Sequence, residues 1–230
     1  MLQTDKKLVL TIKDQVYNII KENILSEHYK PGEKVNEVTL AKELGVSRSP
    51  VRSAINELVG EGLLESKPHH YVRVRELTEK EILDVYELRL LVEIFAIEKA
   101  VETMDEAMSK RLKQFSSDFQ NCCTYDQLLS YVELDTKFHN YLIEHAGNNL
   151  VLETFGRIGA LITPFRIISL KSRERFQESV EEHAAIISAL CAKDAKTATE
   201  ACRTHLTLAK NEIVRYLKKQ QTNIERIVRD

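Results

Sequence analysis

Glycine and proline are scarce in this chain of 230 residues, and they are unevenly distributed. Only seven glycines occur, about 3% of the residues against a typical ~7%. Four of them and three of the four prolines precede residue 70, whereas the long remainder is rich in Leu, Ile, Ala, Glu and Lys. This distribution predicts a small, turn-rich N-terminal domain and a larger C-terminal domain of long helices with short connections.

Cysteine motifs and long apolar runs are also missing. The four cysteines have no C-x-x-C spacing, so neither a zinc ribbon nor a disulfide framework is indicated, and we expect reduced thiols. No stretch approaches the ~18–20 consecutive apolar residues of a membrane span. The N-terminus has charges of both signs and no apolar segment behind it, so no secretory signal is predicted. We therefore expect a cytoplasmic protein without membrane contact.

The hydrophobic residues, 43% of the chain, are sufficient for a buried core and exclude disorder as the main state. We place a first domain at residues 1–75, a second at 76–222 and a short tail at 223–230. The first domain has 12 Lys and Arg against 10 Asp and Glu, and the remainder has 21 against 25. A slightly basic first domain is compatible with nucleic-acid binding, but ordinary solvated surfaces have the same balance.

Three amphipathic segments predict a helix-turn-helix in the first domain. Thr11, Asn36 and Ser47 can each cap a helix, and Gly45 follows the second helix where a left-handed residue is needed. The outward face of the third helix consists of polar side chains: Arg48, Ser49, Arg52, Ser53 and Asn56. Arg and Asn can bond base edges, so the pattern is compatible with DNA binding. A helical pair with an ordinary solvated face explains it equally well.

A predicted β-hairpin after the third helix favours the DNA-binding interpretation. Residues 63–66 and 71–75 have the pattern of two short strands, and the turn between them contains Lys67 and His69. A hairpin in this position is a wing. We expect its basic tip to reach the DNA backbone or the minor groove.

The motifs of this region resemble the winged-helix domain of GntR-type transcription regulators. The resemblance is carried by Lys30-Pro31-Gly32, by the run Leu-Gly-Val-Ser-Arg-Ser-Pro-Val-Arg at 44–52, and by Glu61-Gly62-Leu63-Leu64. It implies that Arg48 and Arg52 contact double-stranded operator DNA. It also implies a homodimer that reads one half-site per protomer.

Two positions depart from that pattern. The family often has Arg where this chain has Val38, so one family DNA contact is missing. The wing usually has Gly at its tip, where this chain has His69-His70.

Long amphipathic segments predict about six helices after residue 76, and therefore an antiparallel bundle. A capping box, Thr78-x-x-Glu81, begins the first, and the fourth is expected to be interrupted near Pro164. We place the helices at about residues 78–103, from 105 onward, 125–146, 149–170, 173–192 and 195–219. The expected fold class is mainly α: a winged helix-turn-helix with a small β-hairpin, followed by an antiparallel all-helical bundle.

Three histidines and one aspartate lie within apolar stripes of the predicted bundle. Asp135 and His139 are i,i+4 neighbours on one helix, and His183 and His205 lie on two others. A single inward histidine is more often a satisfied core residue than a ligand. Three of them with an ionised Asp fit a convergent metal site better, because a buried carboxylate needs a partner. These ligands suit a divalent metal such as zinc, nickel, manganese or iron, with zinc or nickel favoured.

The other histidines lack this placement. We interpret four of them as surface groups: His28, His69, His70 and His145.

The bundle resembles the FadR C-terminal domain (FCD) subfamily of GntR regulators. The resemblance is carried by Leu134-Asp135-x-x-Phe138-His139, Glu182-His183-x-x-Ile186 and His205-Leu206. It implies that Asp135, His139, His183 and His205 hold a divalent metal.

The same resemblance implies that Arg89 binds the carboxylate of a small organic acid effector and that Asn148 is a further effector contact. The alternative for Arg89 is an exposed side chain paired with Glu93. Spacing does not decide whether Arg166 lines the same cavity.

Three functions are compatible with these features. The first is a ligand-responsive, homodimeric transcription regulator, and in particular a repressor, that binds a metal and an organic acid. The second is a helical metalloenzyme, although no H-E-x-x-H motif places a general base beside a ligand. The third is a regulator whose metal is purely structural.

Overall fold

The computed structural model describes residues 10–26, 28–67, 71–76, 78–122, 124–170 and 172–229. The backbone separates into two compact units, Met1–Glu76 and Leu77–Asp230. Their boundary lies one residue beyond the boundary predicted from the sequence.

Three helices and a three-stranded antiparallel sheet make up the part of the first unit that the structure describes. Its elements are α1 (Ile12–Leu25), β1 (Lys34–Val35), α2 (Glu37–Glu43), α3 (Arg48–Gly60), β2 (Leu64–Lys67) and β3 (Tyr71–Val74). The strand order is β1-β3-β2, with Lys34 opposite Arg73 and Leu64 opposite Val74. We did not predict β1, because two residues are too few to show an alternating pattern. The predicted wing contact His69 lies outside the described residues, as does the side chain of Lys67.

Local capping explains where α1 and α2 begin, whereas Ser47, the predicted cap of α3, makes no side-chain capping hydrogen bond. The side chain of Thr11 accepts a hydrogen bond from the backbone of Asp14, and that of Asn36 accepts from Val38 and Thr39. Gly45 has a φ of 65°, which allows the tight turn between α2 and α3. The core of the unit is formed where α1, α3 and the sheet meet, by Val16, Ile20, Val51, Ala54, Leu58, Leu64 and Val74.

The described residues of the second unit form a bundle of six helices. They are α4 (Glu79–Thr103), α5 (Glu106–Asn121), α6 (Leu128–His145), α7 (Asn149–Ser169), α8 (Arg173–Cys191) and α9 (Ala195–Arg229), with a short 3₁₀ turn at Tyr125–Gln127. The predicted capping box of Thr78 and Glu81 is present at the start of α4. This architecture confirms the predicted fold class.

Two helix predictions are wrong. Helix α7 continues through Pro164, since a proline removes one backbone hydrogen bond and the flanking residues keep the helical conformation. Helix α9 extends to Arg229, so residues 223–229 are helical rather than a separate tail. That segment contains neither glycine nor proline, and nothing in its composition stops the helix.

Helix α4 packs against α6 and α9, and α8 packs against α5 and α9. This packing directs one face of each of α4, α6, α8 and α9 towards a shared interior. Within the described part of the chain, no helix is long and apolar enough to cross a membrane.

Candidate metal centre, effector cavity and DNA-binding surface

The four side chains that the sequence singles out lie together in the interior of the bundle. Asp135 and His139 extend from α6, His183 from α8 and His205 from α9, and all four are buried. One potential ligand atom from each lies within 4.8 Å of the others. The i,i+4 spacing on α6 brings its two ligands to the same face, and the packing of three helices brings in the others.

Each histidine is oriented by a hydrogen bond at Nδ1. The Nδ1 of His139 lies 2.5 Å from Oε2 of Glu93, that of His183 lies 2.8 Å from the carbonyl oxygen of Ser179, and that of His205 lies 2.8 Å from Oε2 of Glu182. Carboxylate and carbonyl oxygens only accept hydrogen bonds, so a neutral imidazole must carry its proton on Nδ1 here. Each ring therefore directs the lone pair of Nε2 away from these partners, as metal ligands do.

The Nε2 lone pairs of His183 and His139 face an acceptor atom, Oδ1 of Asp135, rather than a hydrogen-bond donor. Nε2 of His183 lies 3.2 Å from Oδ1 of Asp135, and Nε2 of His139 lies 3.6 Å from the same oxygen. Neither Nε2 atom has a hydrogen-bond partner. Acceptor atoms at this distance repel one another unless a proton or a cation lies between them. The donor set therefore fits a divalent metal.

The ionisation of these groups favours metal binding. Burial lowers the pKa of His183, and burial together with the neighbouring His183 and His139 holds the pKa of His205 well below its usual range. Burial opposes ionisation of Asp135, but Arg166 and His139 outweigh it and hold the pKa of Asp135 well below its usual range. At neutral pH Asp135, His183 and His205 consequently offer deprotonated ligand atoms, which metal binding requires.

Two carboxylates next to the cluster were not predicted as site residues. Glu93 is buried and lies between Arg89 and His139. Glu182 accepts hydrogen bonds from both terminal nitrogens of Arg175 and also contacts His205. The i,i+4 spacing to Arg89 was a signal for Glu93. For Glu182 no signal existed, because its contact with His205 depends on how α8 packs against α9.

Arg89 lies in the interior, with only 1% of its surface exposed. The alternative interpretation, an exposed Arg89 paired with Glu93, is therefore wrong about the exposure and correct about the partner. Burial opposes the charge of Arg89, but the ion pair with Glu93 outweighs burial and raises the pKa of the guanidinium. The Nη2 group of Arg89 has no hydrogen-bond partner.

A cavity adjoins the cluster. Its lining includes three arginines among mostly polar residues: Tyr86, Arg89, Asp135, Arg166, Ser169, Leu170, Arg175, Ser179, His205 and Ala209. Arg166 forms an ion pair of 2.9 Å with Oδ2 of Asp135. The cavity therefore places basic groups beside the candidate metal ligands, as an anion site requires.

Asn148 is not among the residues that line this cavity. Its exposed side chain caps α7 by accepting hydrogen bonds from the backbone of Leu150 and Val151. The structure thus gives Asn148 a capping role, and its effector contact stays a prediction. His28 and His145 are exposed, as expected, whereas His69 and His70 lie outside the described residues.

The predicted DNA-binding face of α3 is on the surface of the first unit. All five of its polar residues are exposed: Arg48, Ser49, Arg52, Ser53 and Asn56. Glu37, at the start of α2, accepts hydrogen bonds of 2.9 Å from both Arg48 and Arg52. The hydrogen bonds from Arg52 and Arg48 lower the pKa of Glu37. Sequence periodicity does not indicate this shared partner, which joins two helices across a turn.

Comparison with known proteins agrees with these features. Residues 12–74 match the model of the family described as bacterial regulatory proteins, gntR family, and residues 84–208 match the FCD domain. The chain is 30% identical over 202 residues to the Nta operon transcriptional regulator of Aminobacter aminovorans, covering 87% of this chain and 93% of that protein. It is 28% identical over 180 residues to the gluconate operon transcriptional repressor of Bacillus subtilis (strain 168), covering 76% and 74%.

The fold is also similar to solved structures. E. coli McbR/YncC has a TM-score of 0.67 at 19% sequence identity, covering 90% of this chain and 99% of that chain. At this identity the likeness concerns the fold alone.

Proposed function

Because the chain belongs to the GntR family of bacterial regulatory proteins and carries an FCD domain, it is a transcription regulator rather than an enzyme, and we propose that it is a repressor controlled by a divalent metal and a small organic acid. The observation that carries this proposal is the set of histidine lone pairs directed at one carboxylate, beside a cavity lined by arginines. Acting on DNA, such a regulator would work in the cytoplasm.

Asp135, His139, His183 and His205 would hold the metal. Three imidazoles and one carboxylate suit zinc or nickel. When bound, the ion would act as a Lewis acid that accepts an oxygen of the effector. Glu93 and Glu182 keep His139 and His205 in the tautomer that such binding needs.

Arg89 would bind the carboxylate of the effector. Its Nη2 group is buried and lacks a partner, although the rest of the guanidinium is paired with Glu93. A buried donor without an acceptor is unfavourable, and an anion in the cavity would satisfy it. This argument supports a carboxylic acid rather than a neutral effector.

The exposed face of α3 would read operator DNA. Arg48 and Arg52 would contact base edges or phosphates, with Ser49, Ser53 and Asn56 beside them, while Lys67 and His69 stay predicted wing contacts. Helix-turn-helix proteins commonly bind two half-sites as dimers, and we propose a homodimer for this chain. The repressor name of the Bacillus subtilis relative supports repression over activation.

A purely structural metal is the second candidate, and the burial of all four ligands favours it. An ion that only holds three helices together needs no access to solvent. The two candidates differ in whether an organic acid binds to the metal-loaded protein.

Elemental analysis of the purified protein tests the metal site. We expect about one divalent ion per chain, and a strong loss of metal in His183→Ala. His145→Ala is the matched control, because His145 is exposed and its Nδ1 contacts the backbone of Tyr141. Equal metal content in both variants and the wild type would refute the proposed ligand set.

Operator titration of the metal-loaded protein, with and without hydroxy, keto and sugar acids, tests the control by an effector. We expect a subset of acids to release the operator from the wild type but not from Arg89→Ala. If metal is present and no acid changes either thermal stability or DNA affinity, the structural role is correct.

A further inference from the structure

Three buried arginines surround the cavity of the bundle. Arg89, Arg166 and Arg175 come from α4, α7 and α8, and each is at most 6% exposed. Each forms an ion pair with a buried or largely buried carboxylate: Arg89 with Glu93, Arg166 with Asp135, and Arg175 with Glu182. Arg175 also lies 3.7 Å from the half-exposed carboxylate of Glu178. These three pairs balance in charge before any ligand or metal is considered.

The ion pairs leave hydrogen-bond donors unused. Nη2 of Arg89, Nε of Arg166 and Nε of Arg175 are buried and have no hydrogen-bond partner. Glu93 and Glu182, the carboxylates paired with Arg89 and Arg175, already accept hydrogen bonds from these arginines and from the histidines. The cavity therefore has spare donors on three different helices, and together they call for several acceptor atoms rather than one.

A divalent ion would disturb the balance of charge. His183 and His205 donate from Nδ1 to oxygen acceptors and would bind the ion through Nε2, so both are neutral ligands that do not offset its charge. Two positive charges would then stand in a buried region whose other charges already cancel. Uncompensated charge is unfavourable where water is excluded. A ligand with two negative charges would neutralise the charge of the ion.

We propose that the effector is a small dicarboxylate, with one carboxylate shared by the metal and Arg89 and the other bound by Arg166 and Arg175. This inference rests on the proposed function, because it takes the metal to be present. Planar carboxylates match the fork of guanidinium donors, and two of them supply acceptors for all three unused N–H groups. A monocarboxylate would leave one charge and at least one arginine unsatisfied.

Calorimetric titration of the metal-loaded wild type with acids of equal chain length tests the proposal. Succinate is compared with butyrate, and malate with 3-hydroxybutyrate. We expect each dicarboxylate to bind at least 10-fold more tightly than its monocarboxylate partner. Equal affinities, or tighter binding of the monocarboxylates, would overturn the dicarboxylate assignment and leave the proposed function intact. If no acid of either kind binds, the proposed effector site fails with it.

Inorganic phosphate is added to the four acids as a compact anion, because it has between one and two negative charges at neutral pH. We expect it to bind more weakly than the dicarboxylates, since one compact group cannot reach both the metal with Arg89 and the other two arginines. Phosphate binding that is tighter than that of every dicarboxylate would overturn the proposal.

Variants of Arg175 locate the second carboxylate. In Arg175→Gln the dicarboxylate should lose most of its 10-fold advantage over the matched monocarboxylate. Arg175→Lys retains a positive charge opposite Glu182 and should keep more of the advantage. Metal content is measured in both variants, because Glu182 also contacts His205. An unchanged advantage in both metal-loaded variants would show that Arg175 does not bind the ligand.

Discussion

Glu37 joins the two arginines on which the proposed DNA contact depends. Its carboxylate accepts hydrogen bonds from Arg48 and from both Nε and Nη2 of Arg52, although each arginine side chain is about 60% exposed. Exposed ion pairs contribute little to stability. These ion pairs instead orient the arginine side chains, because one carboxylate holds two flexible donors in a defined arrangement on the surface of α3.

We expect Glu37→Gln to weaken discrimination between operator and unrelated DNA. Removing a negative charge beside the arginines should raise the affinity for any DNA sequence, because phosphate repulsion falls. Losing the alignment of Arg48 and Arg52 should reduce the preference for the operator by about 1–3 kcal/mol. Fluorescence anisotropy with operator and scrambled duplexes measures both effects. Glu43→Gln, at the other end of α2, controls for charge alone, and an unchanged preference in Glu37→Gln would rule out the aligning role.

The buried histidines make the stability of the metal-free protein depend on pH. The pKa values of His183 and His205 are lower in the folded protein than the unfolded value of about 6.5. Between the folded and unfolded pKa values the unfolded chain binds more protons, so the free energy of unfolding rises with pH. Stability is therefore fully present above about pH 6.5 and decreases as the pH falls below it.

We expect the midpoint of urea unfolding of metal-free protein to fall between pH 7.5 and pH 5.5. The slope with pH should be reduced in His183→Ala, whatever the absolute stability of that variant, and retained in His145→Ala. Equal slopes in all three proteins would show that another group titrates.

At the scale of secondary-structure elements, a local sequence motif, the capping box of Thr78 and Glu81, determines where α4 begins. The side chain of Thr78 accepts a hydrogen bond from the backbone of Glu81, whose carboxylate accepts one from the backbone of Thr78. Both donors would otherwise lack a partner in the helix. Because α4 carries Arg89 and Glu93, the position of its first turn also sets where both side chains enter the interior.

We expect Thr78→Ala to destabilise the second unit by about 1 kcal/mol, the usual loss for an N-cap hydroxyl. Urea unfolding monitored by circular dichroism measures the change. Thr207→Ala is the control, since Thr207 is exposed within α9, where alanine is the better helix former. A loss in Thr207→Ala as large as that in Thr78→Ala would contradict the capping explanation.

Such short-range signals account for what the sequence could predict. The caps at Thr11, Asn36 and Thr78 depend on residues three positions away, and the shared face of Asp135 and His139 depends on i,i+4 spacing. All of these are visible in the printed sequence.

The partners of the site residues were less accessible to prediction. Glu37 meets Arg52 across a turn, Glu182 meets His205 between two helices, and Arg166 meets Asp135 between two others. Such contacts depend on packing, which sequence periodicity does not specify. The predicted break at Pro164 failed for a related reason: the remaining bonds of a long helix outweigh the one that proline removes.

At the scale of the whole molecule, the proposed DNA contacts belong to one unit of the chain, and the proposed metal site and its cavity belong to the other. Control of DNA binding by an acid is then a coupling free energy between two separate sites, not a competition for one. Such a coupling is reciprocal: the factor by which the acid weakens operator binding must equal the factor by which the operator weakens acid binding. This equality holds whatever conformational change transmits the effect.

We therefore expect a closed thermodynamic cycle in the metal-loaded protein. If saturating malate weakens operator binding ~30-fold, corresponding to about 2 kcal/mol of coupling, calorimetry should find malate binding ~30-fold weaker to the operator complex. Arg89→Ala should retain operator affinity, because it leaves α3 unchanged. In this variant malate should no longer weaken operator binding and the operator should no longer weaken malate binding, because the acid contact is removed. An acid that releases the operator from wild type and Arg89→Ala alike would act outside the cavity. An acid that binds free and operator-bound protein equally would have no coupling, and the bundle would then hold its metal and ligand for structure alone.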